Sequence, residues 1–412
     1  MNNYQKAMTG LSFIICISLL TGCSTVRNNE SHKLQAPQKA KNIIFMVPDG
    51  QGLSDVTAAR IFKNGPNGDP LYQETLKNIG YQRTHSADNT ITDSAAAASA
   101  WAMGKKFKNG EISCHAGKDG ECLEKAPTIL ELAEARGKAS GLVVTSQISH
   151  ATPAAFAAHV FSRSCGAEIA RQYIEEAGVD VILGGGLYRS ADNCNRYAES
   201  FAPPDKRQYI INLARKNNYT YVSDKAGLEN AVAGNNRKIL GMFEQNGPGE
   251  GKSIEMFRVD HLKIYPENEP TLADMTSAAL NILEKDRDGF FLLVEGSQID
   301  WENHDNRLKS QIAESLGFDE AVKVVLDWID EDPSREDNTL LIIVADHETG
   351  GFAINGPTDT ILKSGDLVEP GWASGNHTGV DTIIYSQGPG SFNLNAALDN
   401  TDLYYVMENV LN

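Results

Sequence analysis

Apolar and polar positions along this chain follow two different periods. Short, nearly unbroken apolar runs occur at Asn42 to Val47, Gly141 to Thr145, Val179 to Leu183, Phe290 to Val294, Leu340 to Ala345 and Asp381 to Tyr385. Runs of this length, without polar alternation, predict parallel strands buried on both faces of a sheet. Between them, apolar residues return every three or four positions at Thr128 to Arg136, Pro153 to Phe161, Thr271 to Glu284 and Gln311 to Asp330. That period gives a helix one apolar face. Strand and helix in alternation predict an α/β fold: a doubly wound, mainly parallel central sheet flanked by helices. The stretch from Leu187 to Tyr265 breaks the pattern, with weak periodicity and many Asn, Arg, Lys and Gly, and reads as a peripheral insertion in a domain spanning 42–412. No internal repeat or low-complexity tract is evident, and the length suits a single large sheet.

The first 22 residues read as targeting sequence. One early cation, Lys6, precedes an apolar stretch from Leu11 to Leu20 that is too short to span a bilayer comfortably. It ends in Leu20-Thr21-Gly22-Cys23, which resembles a bacterial lipobox; Cys23 would then carry the lipid. An ordinary cleaved signal with a chance cysteine is the alternative. Residues 23–41 are polar and read as a flexible tether. The expectation is an exported lipoprotein, attached to a membrane through its N-terminal lipid and facing the periplasm. In an exported chain the four later cysteines, Cys114, Cys122, Cys165 and Cys194, read as two disulfides, because their spacing matches no zinc ribbon or CxxC motif. Cys114 with Cys122 and Cys165 with Cys194 is the favoured pairing, and the sequence leaves the connectivity open.

Formal net charge is −17. That argues against nucleic acid as a specific partner, and against an anionic substrate unless the site brings its own positive charge. Metals could bring it. In doubly wound sheets ligands bind beyond the carboxyl ends of the strands, and here those ends carry ligand-type residues: Pro48-Asp49-Gly50, Glu295-Gly296 and Ala345-Asp346-His347. Asp300 with His304, and His377 in Gly375-Asn376-His377-Thr378-Gly379, add to the set. A single acid after a strand is usually a helix cap; three such ends make coincidental capping a poor account. A nucleophile candidate, Ser94, follows Asp93 at the start of an alanine-rich helix. Unpaired N–H groups and the helix dipole there favour an alkoxide or a bound phosphate, while capping by Ser94 or Asp93 is the plainer reading of that segment alone.

Taken together and in order, Pro48-Asp49-Gly50, Thr92-Asp93-Ser94-Ala95-Ala96, Ala151-Thr152-Pro153 through Ser162-Arg163, Val294-Glu295-Gly296, Asp300 to His304, Ala345-Asp346-His347 and His377-Thr378-Gly379 resemble the alkaline phosphatases. The resemblance runs from about Asn42 to the C-terminus and is weakest between Leu187 and Tyr265. It implies a homodimer with two zinc ions and one magnesium ion per subunit, hydrolysing phosphate monoesters at alkaline pH through a phosphoserine on Ser94. It assigns one zinc to Asp49, Asp346 and His347, the other to Asp300, His304 and His377, and magnesium to Asp49, Thr152 and Glu295. Nitrogen-containing sets suit zinc and all-oxygen sets suit magnesium. Arg163, which would ordinarily be a solvated residue on a helix, becomes a phosphate-gripping fork, with Asp93 orienting it.

Two positions depart from a common pattern of that family. His150 stands where many bacterial members have Asp, and Trp301 where they have Lys; the first bears on the magnesium site and the second on substrate binding. His32, His85, His115, His159 and His261 lack partners at a suggestive spacing and read as structural or surface residues. Gly184-Gly185-Gly186 and Gly247-Pro248-Gly249-Glu250-Gly251-Lys252-Ser253 do not meet the P-loop spacing, so nucleotide binding is not expected. The rival enzyme reading is a phosphodiesterase or nucleotide pyrophosphatase of the same superfamily, whose members usually use Thr as nucleophile. A non-catalytic phosphate-binding lipoprotein is the rival outside enzymes, and would predict lost ligands.

Overall fold

The computed structural model describes residues 39–411 except 119, 124–125, 188–193, 195–205 and 244–267. Cys23, most of the tether, His32, His261 and the second Gly-rich stretch therefore lie outside the described residues. Ten strands form one sheet: β1 Asn42–Pro48, β2 Asn78–Arg83, β3 Ala139–Val144, β4 Val181–Gly184, β5 Thr220–Val222, β6 Ile239–Met242, β7 Phe290–Gly296, β8 Thr339–Val344, β9 Thr382–Gln387 and β10 Ala397–Asp399. Their order across the sheet is β10-β2-β9-β8-β1-β7-β3-β4-β6-β5. Every neighbour from β8 to β5 is parallel, as the apolar runs predict.

Burial on both faces explains why those runs lack polar alternation. Successive side chains of a strand point to opposite faces. Ile43, Phe45 and Val47 of β1 join the core on one side, with Phe291, Leu293, Leu340 and Ile342. Ile44 and Met46 join the core on the other, with Leu292, Val294, Leu341 and Ile343. Helices seal each side. Ser94–Met103 and Ala151–Ala157 contribute Trp101 and Phe156 to the first core, while Leu272–Leu283 and Leu308–Asp330 contribute Met275 and Phe318 to the second. The disulfides join Cys114 to Cys122 and Cys165 to Cys194.

Three expectations need correction. The run from Asp381 to Tyr385 is a strand, β9, but it runs antiparallel to both β8 and β2. No helix lies between β8 and β9 to carry the chain across a face of the sheet, so it returns in the opposite sense. The helix expected to reach Phe161 stops at Ala157, because the chain turns extended at Ala158 and Val160 bridges to Ile112. Arg163 accordingly sits in a turn, its N–H donating to Gly110 O at 2.8 Å, and not on a helix. The described part of residues 187–265 lies at one edge of the sheet and adds two strands there, β5 and β6. Strand β2 carries no readable signal: Ile79 and Tyr81 are half-exposed while Gln82 is buried, its amide spanning Trp101 and Ala345 O.

Phe156 is fully buried, with its ring centroid 5.6 Å from those of both Phe45 and Phe291, on the two central strands β1 and β7. Phe156→Ala is expected to lower stability by about 3–5 kcal/mol; an unchanged denaturant midpoint would contradict this packing.

Candidate active site

The four central strands β8, β1, β7 and β3 are adjacent and parallel, so their carboxyl ends open on one edge. Asp49 follows β1, Glu295 lies at the end of β7, Asp346 and His347 follow β8, and the loop after β3 leads to His150 and Thr152. Register fixes the alignment, with Val47 and Val144 both opposite Glu295. Gly50 permits the crowding. It adopts φ +74°, its N–H donates to Asp346 Oδ1 at 3.1 Å, and a Cβ there would lie 2.7 Å from Asp300 Cα. Only glycine suits both the left-handed backbone and the contact.

Three groups of ligand atoms result, each within 4.8 Å of one another: Asp300, His304 and His377; Asp49, Asp346 and His347; and Asp49, His150 and Glu295. Asp300 and His304 share the helix Gln298–His304 at a spacing of four residues, which puts both on one face. His377 arrives from a two-residue ribbon in which it pairs with Thr349. His304 Nδ1 lies 2.8 Å from Gly375 O, and His377 Nδ1 lies 2.9 Å from Thr92 O. Each carbonyl must accept a proton from Nδ1, which turns Nε2 inward in both rings, 3.1 Å apart and 3.4 and 3.5 Å from the Asp300 oxygens. The His377 ring stacks on His347 at 3.5 Å between centroids.

The electrostatics are those of a cation site. Asp49, Glu295, Asp300 and Asp346 are buried. Both oxygens of Asp49, one of Glu295 and one of Asp346 have no hydrogen-bond partner. Burial, and then the charges of Asp346 and Asp300, push Asp49 well above the usual carboxylate range. Burial raises Glu295 to about 7, with Thr152 and Ser297 opposing. Burial would also raise Asp300, but the His304 hydrogen bond and the neighbouring histidines win and hold it low. The bond to Asp300 raises His304 to about 9, whereas burial lowers His377 to about 4. Without a cation, His304 is thus the protonated ring of the two and His377 the neutral one. Orphaned buried oxygens and inward-facing nitrogens fit divalent cations at these positions.

Ser94, 2% exposed, is the first residue of the helix Ser94–Met103, and its Oγ lies 3.3 Å from His347 Nε2. Asp93 is the N-cap. Its Oδ1 accepts from Ala96 N at 2.9 Å, while Oδ2 accepts from Gly110 N and from Arg163 Nη1, each at 3.0 Å. Capping and orienting are therefore done by the two oxygens of one side chain. Arg163 Nη2 donates to His150 Nε2 at 3.0 Å. Burial and that cation push His150 down to about 3, so the imidazole is neutral. Trp301 meets the His150 ring edge-on at 5.9 Å. The structure thus brings together Asp49, Asp93, Ser94, His150, Thr152, Arg163, Glu295, Asp300, Trp301, His304, Asp346, His347 and His377.

His85, His115 and His159 are in none of the three groups; His159, for one, spans Ser113 O and Glu131. Supporting residues escaped the sequence reading. Thr349 donates to Asp300 Oδ1 at 2.5 Å, and Ser297 to Glu295 Oε2 at 2.7 Å. Their positions just after strand-end ligands are the only signal that could have singled them out. Gly50→Ala should cost at least about 2 kcal/mol in stability and displace Asp300. Urea denaturation, with metal content measured in parallel, checks this; wild-type values for both would refute it.

The alkaline phosphatase family model matches residues 40–368. Alkaline phosphatase 3 of Bacillus subtilis (strain 168) is 30% identical over 468 residues, covering 95% of this chain and 94% of its own length. Among solved structures, alkaline phosphatase from the Antarctic bacterium TAB5 superposes with a TM-score of 0.72 at 27% identity, covering 91% of this chain and 99% of its own. A variant of that enzyme with Mg bound in its M3 site superposes with a TM-score of 0.68, at the same identity and coverage.

Proposed function

The chain belongs to the alkaline phosphatase family and is a phosphatase, and we propose that it cleaves phosphate monoesters at alkaline pH in two steps through a phosphoserine on Ser94. The observation that carries this reading is Ser94 at a helix start, set between the Asp93–Arg163 pair and the ligand groups at the strand ends. In the first step Ser94 Oγ would bond to phosphorus as the ester oxygen departs and takes up a proton; in the second, water would cleave the Ser94–phosphate bond and release inorganic phosphate. The N–H groups at the helix start and Arg163 stabilise negative charge on the phosphoryl oxygens. Asp93, held by Ala96 N and Gly110 N, fixes the plane of the guanidinium so that its remaining N–H groups can fork onto two oxygens.

Zinc ions held by Asp49, Asp346 and His347 and by Asp300, His304 and His377, with magnesium held by Asp49, Thr152, Glu295 and the neighbouring His150, would ease loss of the Ser94 proton and stabilise charge on the departing oxygen. In the metal-free group the bond to Asp300 raises His304 to about 9, so its proton would compete with zinc, and that competition fades as pH rises through this value. Monoesters are favoured over diesters because a dianionic monoester presents three non-bridging oxygens carrying two charges to Arg163 and the ligand groups, whereas a diester presents two oxygens carrying one.

Ser94→Ala is expected to lower monoester turnover by about 10³-fold or more, with no phosphoseryl protein trapped at low pH. Trapped label on another residue would overturn the assignment, and faster cleavage of a matched diester by the wild type would favour the phosphodiesterase alternative. Membrane attachment and dimerisation belong to the same reading. Cys23 closes Leu20-Thr21-Gly22-Cys23 and would carry the lipid, and a homodimer would cover the exposed Ile79 and Tyr81 of β2. Cys23→Ser should move the protein to the soluble fraction with the mass of a dimer by light scattering. Retention on the membrane, or a monomer, would contradict the corresponding part.

A further inference from the structure

Behind Glu295 the two strand ends are joined by hydroxyl groups. Ser297 Oγ donates to Glu295 Oε2 at 2.7 Å. Ser146 N donates to Ser297 Oγ at 3.1 Å, and the two serine hydroxyl oxygens lie 3.0 Å apart. Ser297 N donates to Thr145 Oγ1 at 2.9 Å, while Thr145 N donates to Glu295 O at 3.2 Å. Ser146 and Ser297 are fully buried. A serine hydroxyl has one proton, and a carboxylate acceptor takes it more strongly than a neutral oxygen does. The Ser297 proton therefore goes to Glu295, and Ser146 fills the acceptor side of the same hydroxyl.

This fixes the carboxylate. One oxygen of Glu295 is engaged, while Oε1 is buried without a hydrogen bond, as are both oxygens of Asp49 in the same group. The third member, His150, accepts from Arg163 on Nε2 and so brings no charge of its own. Two carboxylates thus carry all the negative charge this group offers, and the orientation of each matters more than it would among three. A hard cation such as magnesium depends on oxygen donors in near-ideal geometry.

We propose that Ser297 is a positioning residue for the Asp49, His150 and Glu295 group: seated by Ser146, its hydroxyl holds one oxygen of Glu295 and presents the other to the cation, setting how tightly magnesium is retained. The proposal rests on the reading that this group holds a cation. Partners of metal ligands typically change affinity by 10–100-fold when removed. Ser297→Ala is expected to weaken magnesium binding by about that factor in equilibrium dialysis of the zinc-loaded protein, with two zinc ions per chain retained and only a modest drop in the melting temperature of metal-stripped protein, from the Ser146 N–H that loses its acceptor. Ser297→Thr, which keeps the hydroxyl, should restore affinity. Ser146→Ala should weaken it a few-fold, and keeps the proposal testable if Ser297→Ala does not fold. Wild-type magnesium affinity in folded Ser297→Ala, or in folded Ser146→Ala if the first variant is lost, overturns the proposal. So does equal weakening in Ser297→Ala and Ser297→Thr, or joint loss of zinc and of metal-free stability, which would mark a structural hydroxyl. Wild-type protein that takes up two zinc ions and no magnesium at millimolar concentration overturns the underlying reading of the third group instead.

Discussion

Four buried carboxylates at one edge of a sheet are the constraint around which this molecule is arranged. Asp49, Glu295, Asp300 and Asp346 are 0–4% exposed, and the ion-pair partners recorded for Asp49, Asp300 and Asp346 are histidines. Burying one carboxylate without compensation is already costly; four together, in a chain of net charge −17, are tenable only if cations or protons neutralise them. The raised pKa values of Asp49 and Glu295 and of His304 beside Asp300 are the metal-free expression of that demand. The same demand suits a phosphatase. A site that must attract a phosphate ester against a negative protein needs concentrated positive charge, and divalent ions would deliver it where the strands end.

The rigidity of the surrounding structure follows from that concentration. Parallel strands packed on both faces cannot shift relative to one another without disturbing both cores, so the register that sets Val47 and Val144 opposite Glu295 also fixes the ligand spacing. Four of the ligand-type side chains then have a local device that aims them. Backbone carbonyls of Thr92 and Gly375 turn the two histidines, Thr349 seats Asp300, and Ser297 seats Glu295. Gly50 lets the chain pass where a Cβ would strike Asp300. Thr92 ties one ligand group to the start of the Ser94 helix, since its carbonyl holds His377 two residues before Ser94.

His150 shows how a single position changes the balance of such a site. An aspartate there would add a third negative charge beside Asp49 and Glu295 and an acceptor for Arg163. The imidazole instead stays neutral, takes the Arg163 hydrogen bond on Nε2 and meets Trp301 edge-on. Arg163 is thereby held between a charged partner, Asp93, and a neutral one.

Much of this was legible from the chain alone, because buried strands impose unbroken apolar runs and because acids and histidines placed directly after such runs can meet only at the sheet edge. The strands carrying Asp49, Glu295, Asp346 and His347, the helix opening at Ser94 and the pairing of Asp300 with His304 were readable in that way, and the two disulfides only as the favoured pairing of four cysteines. Local pattern could not give the antiparallel sense of β9, the turn that takes Arg163 off its helix, or the strand β2, whose exposed Ile79 and Tyr81 and buried Gln82 invert the usual rule. Nor could it give Ser146 and Ser297, which lie 151 positions apart and acquire meaning only when β3 and β7 lie side by side. Apolar period and ligand type are properties of short segments and survive in one dimension. Strand direction and the partner of a hydroxyl depend on which distant segment packs alongside, and only the tertiary structure decides that.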